Sequence, residues 1–125
     1  MIQLKKQEVE ERITNLLKQE EELMDQKHQL NQQILAFEEE YSLVQRQIHE
    51  AYSHNTSSIL EEDYQTTFER MTRLYDSMQD QFGRKKDELK KKDRIREEAL
   101  DEELQTRKKL ELEEKEKEEK KENGD

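Results

Sequence analysis

The stretch LNQQILAFEEEYSLVQRQIHEA, residues 30–51, places Leu30, Phe37, Val44 and Ala51 seven apart, with Ile34, Tyr41 and Ile48 three residues before the last three. Alternating steps of four and three, with polar residues between, mark the seam of a coiled coil. Carried toward the N-terminus in the same phase, the first series continues through Leu23, Leu16, Val9 and Ile2, all apolar. The companion series continues through Lys27, Glu20, Ile13 and Lys6, so its polar members gather in the first half. This pattern predicts one long helix over residues 2–52.

The run Ser53-His54-Asn55-Thr56-Ser57-Ser58 then breaks it with residues that favour caps and turns over helix interiors. A turn is expected over 53–57. Ser58-Ile59-Leu60-Glu61 follows as an S-x-x-E capping box and predicts a restart at 58. From there a second seam runs Tyr64, Phe68, Met71, Tyr75, Met78, Phe82, Lys85 and Leu89. Lys90-Lys91-Lys92 interrupts it, and Ile95, Leu100 and Leu104 fit it better if an extra four residues are inserted as a stutter. The second helix is expected over 58–110. Residues 111–125, alternating Glu and Lys in short blocks, form a tail that is either a charged helix or disordered.

With the first series labelled d and its companion a, folding one seam onto the other tests the hairpin, because an antiparallel pair sets each a residue against a d residue. Pairing residues whose numbers sum to ~112 faces Leu23 with Leu89, Leu30 with Phe82, Phe37 with Tyr75, Tyr41 with Met71 and Val44 with Phe68. It also sets Glu20 against Lys92 and puts Lys27 opposite Lys85, a repulsive layer unless both side chains snorkel outward. The expected fold is all-α, a long antiparallel two-helix coiled-coil hairpin over 1–110 with a charged tail. Its polar layers lie toward the open end and its aromatic ones near the turn, so the open end is expected to fray first.

Composition agrees. Of 125 residues 29% are hydrophobic and 45% charged, with no proline and two glycines, Gly83 and Gly124. Mean hydropathy is -1.47. A broad core is out of reach and a narrow seam is the remaining ordered solution. No cysteine is present, which excludes disulfides and thiol chemistry. Acidic residues appear before any apolar leader segment forms, and no stretch is long enough to span a membrane, so cytoplasmic synthesis and no membrane insertion are expected. The net charge of -10 argues against nucleic acid as the main partner.

No chemistry of an enzyme emerges. His49 and His54 are five apart, where an H-E-x-x-H zinc site needs them one turn apart on one face. The carboxylate runs Glu20-Glu21-Glu22 and Glu38-Glu39-Glu40 have no predicted pocket to shift their pKa values. Neither a cofactor nor a metal is expected. Between Arg84 and Arg96 stand eight basic and three acidic residues. They fall beside Glu20, Glu21, Glu22 and Asp25 in the hairpin register and are read as intramolecular charge partners.

Some apolar residues are left over by the seam. Leu17, Met24 and Tyr52 share the e position, Leu60 and Leu74 fall at g, and Leu35 and Leu43 sit further round. A flanking apolar stripe widens a seam and offers room for a further helix. Leu17, Met24, Tyr52, Leu60 and Leu74 are therefore the candidate partner-binding residues.

In size, two-helix layout, the Glu69-Arg70-Met71-Thr72-Arg73-Leu74-Tyr75 region and the Glu/Lys-rich end, the chain resembles the small helical partners of LXG-domain toxins in type VII secretion systems. That resemblance implies a chaperone or targeting subunit that binds the toxin's helical domain, with room for a second small helical partner and for export alongside the client. The chain has no tryptophan, hence no W-x-G turn, and no Tyr or Phe is followed four residues later by Asp or Glu. This departure from self-exporting members implies the adaptor role. The chain also resembles type III and flagellar stalk proteins, which would make it an ATPase-coupling rod and escort chaperone, and a self-associating structural coiled coil is the third reading.

Overall fold

A computed structural model describes residues 1–53 and 58–123. Two helices account for almost all of them, α1 over Ile2–Tyr52 and α2 over Ser58–Asn123, and no strand occurs among the described residues. The fold is the all-α helical hairpin that the two seams imply. Helix α2 continues past residue 110 to Asn123. The expected turn lies, apart from Ser53, outside the described residues, and so does the Ser58 side chain invoked for the capping box.

Few residues oppose this helicity. Thr14, Thr66, Thr72 and Thr106 each donate their hydroxyl to the carbonyl four residues earlier, so none competes for backbone donors. Gly83 lies inside α2, and a Cβ there would meet nothing within 4 Å, so no packing contact demands a glycine at that point.

The chain divides into two compact units, each built from a segment of both helices. The first comprises Met1–Asp25 and Leu89–Asp125 and holds the driest part of the seam. Val9, only 1% exposed, clusters with Ile13 and Leu110, with Leu100 and Leu104 packed against them, and Leu23 and Leu89 are buried as well. Full burial of an aliphatic side chain of this size contributes about 1.5–3 kcal/mol. Ion pairs stand between and beside these layers. Lys6 meets Glu114, Arg12 meets Glu103 at 2.8 Å, Arg107 meets Glu10 at 3.3 Å and Arg96 meets Glu20 at 3.7 Å. Partner numbers fall on one helix as they rise on the other, which makes the pairing antiparallel.

Glu20 was expected against Lys92 and here meets Arg96, one helical turn further along α2. The stutter is the cause. In this unit the inward positions of α2 include Leu89, Asp93, Arg96, Leu100, Glu103, Arg107, Leu110 and Glu114, with Ala99 and Leu104 half-buried beside them. In the other they include Tyr64, Met71, Tyr75, Met78 and Phe82. Steps of four and three join the two series only if one additional step of four is taken between Phe82 and Leu89. One expectation is corrected by this: Ile95 is 58% exposed and not in the seam, its place taken by Arg96. Lys85 is exposed, the outward placement that spares a repulsive layer opposite Lys27.

The second unit, Gln26–Glu88, has a different interior. Leu30 is buried, while Ile34, Phe37, Tyr41 and Ile48 of α1 and the inward residues of α2 are half-buried. Aromatic rings dominate. Phe37 and Tyr75, paired by the sequence register, stack at 6.0 Å between centroids. Phe37 meets Phe82 edge-on at 5.7 Å, and Tyr41 lies 4.6 Å from Tyr75. Val44 and Phe68, expected to face each other, are each 43% exposed. Near the turn Tyr52 is half-buried on α1 while Ala51 is exposed, and on α2 Thr67 is half-buried beside the exposed Phe68. Both helices have rotated relative to the strict heptad phase, which carries Val44 and Phe68 out of the seam.

Candidate helix-binding surfaces

The five partner-binding residues expected from the sequence do not form one group. Leu17 and Met24 belong to the unit of the chain ends; Tyr52, Leu60 and Leu74 belong to the unit of the turn. Leu17, Met24 and Leu74 are exposed, Met24 most of all at 62%. Leu17 and Met24 are seven residues apart on α1, two turns along the same flank, beside the buried Ile13 and Leu23.

Tyr52 is instead engaged. Its Oη donates to Oδ2 of Asp63 at 2.7 Å, and its ring lies 5.4 Å from that of Tyr64. Leu60 is half-buried. These two complete the packing near the turn more than they extend a free stripe. The hydrogen bond to Asp63 holds the Tyr52 phenol above its ordinary pKa, with burial adding in the same direction. In the other unit, the hydrogen bond to Glu114 raises the Lys6 ammonium above its ordinary value.

Sequence reasoning missed the aromatic ladder that this creates. Tyr64 stacks on Phe68 at 6.3 Å, so Tyr52, Tyr64 and Phe68 form a continuous series of ring contacts that ends on an exposed ring. The signal was present in the spacing: Tyr64 and Phe68 are one turn apart, and Tyr52 is one turn beyond Ile48, the residue that the same register (numbers summing to ~112) sets opposite Tyr64. A second exposed apolar feature lies on α1, where Leu35, Glu38, Glu39, Ser42, Leu43 and Arg46 line a shallow open depression. All six come from one helix, so no second wall encloses it.

Among the described residues no group of His, Asp or Glu is arranged to hold a metal ion, and no helix is long and apolar enough to cross a membrane. The basic segment is used inside the fold at Arg96, which is 5% exposed and pairs with Asp93 at 3.1 Å and Glu97 at 3.8 Å in addition to Glu20. Compared with protein-family models, with curated proteins and with solved structures, the chain matches none. What fold and surface together define is a helical hairpin that keeps apolar side chains in solvent along both helices.

Proposed function

We propose that the chain is a non-enzymatic helical adaptor or chaperone that binds the helical domain of a secreted LXG-type toxin and assists its targeting to a type VII secretion system. The observation that carries this reading is the pair Leu17 and Met24, exposed on one flank of α1 beside buried seam residues. An e-position stripe of this kind is where a further helix packs against a two-helix coiled coil. The client would gain cover for its own apolar helices in the cytoplasm, and the composite surface would be read by the secretion machine. Export with the client is compatible with this role.

Charge substitutions Leu17→Glu and Met24→Lys test it by co-expression with the toxin's helical domain. Both residues are exposed, so helix content by circular dichroism is expected to stay nearly unchanged while co-purification is lost. Retention of the client by the double variant, or capture of a hexameric ATPase by the native chain, overturns the toxin-adaptor reading in favour of the stalk-type one.

A further inference from the structure

Between residues 38 and 76 the sequence holds nine carboxylates, three arginines and no lysine, an excess of six negative charges. Within that interval lies the ladder Tyr52, Tyr64 and Phe68, whose last ring is 43% exposed although its heptad position belongs to the seam. Asp63 already anchors one end through Tyr52. An apolar stripe of rings, anchored on one carboxylate and carried on a stretch of chain with an excess of negative charge, has a definite complement: an amphipathic helix whose apolar edge covers Phe68 and Tyr64 and whose flanks carry Lys or Arg. The cations gain twice there, from the carboxylates and from the exposed Phe68 ring. A second copy meeting this one through the same face is the wrong occupant, because it would bring the same excess of negative charge to the same place.

We infer that the aromatic ladder near the turn is a docking site for a basic amphipathic helix. This rests on the adaptor reading for its biological sense, yet it concerns other residues than Leu17 and Met24, so either can fail alone. The ladder supplies apolar area and the acidic surroundings supply selectivity. Opposite charge at the rim speeds encounter and rejects acidic helices, while the ring contacts determine how long the complex lasts.

The test uses the full chain and two designed peptides of one apolar pattern, Leu at a and d, with Lys at the remaining positions in one and Glu in the other. Fluorescence anisotropy is expected to show binding of the Lys peptide and none of the Glu peptide. Phe68→Ser should weaken the Lys peptide about ten-fold or more, whereas Leu112→Ser, an exposed apolar residue outside the ladder, leaves it unchanged. Equal binding of both peptides overturns the inference, as does a Phe68→Ser variant that binds the Lys peptide as well as the native chain, which would mean charge alone is read. Sedimentation of the chain by itself gives the remaining outcome: a dimer abolished by Phe68→Ser would make a second copy the occupant and overturn it too. Unchanged peptide binding in the Leu17/Met24 variant, alongside loss of the toxin domain, shows the two surfaces to be separate.

Discussion

The unit of the chain ends and the unit of the turn are written in the same heptad grammar, yet they bury different things. At the chain ends, small aliphatic residues such as Val9, Ile13, Leu23, Leu89 and Leu110 are nearly removed from water, and charged residues cross-link the layers between and beside them. Near the turn the layers are aromatic, and most rings keep an edge in solvent. The lesson concerns fit more than hydrophobicity. Branched aliphatics close the narrow gap between two helices, whereas large rings hold the helices by stacking and overflow the gap. Two helices alone cannot cover a Tyr or Phe on every side, so the richer apolar content near the turn produces the wetter seam.

That argues against the expectation that the open end frays first. The polar residues Lys6 and Glu20 weaken their layers less than supposed, because each meets an oppositely charged partner at the rim. The largest effect on which the comparison can break is therefore truncation of a dry layer. Leu89→Ala is expected to cost about 3 kcal/mol, since a buried leucine leaves a cavity, against about 1 kcal/mol or less for Val44→Ala at an exposed seam position. Urea unfolding of the two variants measures the difference. Equal losses would mean that both units are packed alike, and hydrogen exchange at residues 9–23 faster than at 41–52 would restore the original order.

The hairpin, the helix limits near the turn and the Phe37–Tyr75 layer were legible because they follow from a period, and a period is local information. What was not legible depends on helix rotation. Nothing in the sequence states that Thr67 will turn inward and Phe68 outward, because a half-buried threonine and a half-exposed phenylalanine each satisfy propensity. The same holds at the stutter, where the need for an extra step was readable but its seating was not. Ile95 looked like the better seam residue by apolarity, yet the phase set by Leu89, Leu100 and Leu110 selects Arg96. The five candidate contacts were chosen on a single ideal wheel, which is why Tyr52 and Leu60 turn out to serve the packing near the turn.

Arg96 sharpens the comparison next, being the one buried charged residue among the described residues. Its side chain is spanned by Glu20, Asp93 and Glu97, all more exposed than itself, and its Nη1 has no hydrogen-bond acceptor. Burying a guanidinium costs desolvation that three rim carboxylates offset only in part, so a flexible apolar side chain of similar length should serve stability as well or better. Arg96→Met is expected to leave the unfolding free energy unchanged or raise it by about 1 kcal/mol. If it lowers stability by as much as Leu89→Ala does, the charged layers are as integral to this unit as the aliphatic ones, and the contrast with the turn is one of charge more than of dryness.

The smallest expected effect tests the ladder at its anchored end. In the folded chain the Tyr52 phenol is the donor to Asp63, so its protonated form is the favoured one and its pKa is raised above the ordinary 10.0. The sign follows from that. A raised pKa means that the contact contributes in full below the ordinary tyrosine range and is lost as pH climbs through the higher folded value. Neutral and acidic conditions leave it untouched. A tyrosinate absorbance titration of the native chain, which has four tyrosines, should end in a late-ionising component that Tyr52→Phe removes and Asp63→Ala moves back toward the ordinary range. Lys6 behaves in the same sense at the other unit, because its hydrogen bond to Glu114 also favours the protonated form. Alkaline loosening is thus expected at both units and cannot by itself distinguish them; the absorbance signal belongs to the ladder alone. Should Tyr52→Phe lose amplitude only from the ordinary tyrosine range and keep any late component, the Tyr52–Asp63 bond does not form in solution, and the ladder would begin at Tyr64 with its acidic anchor gone.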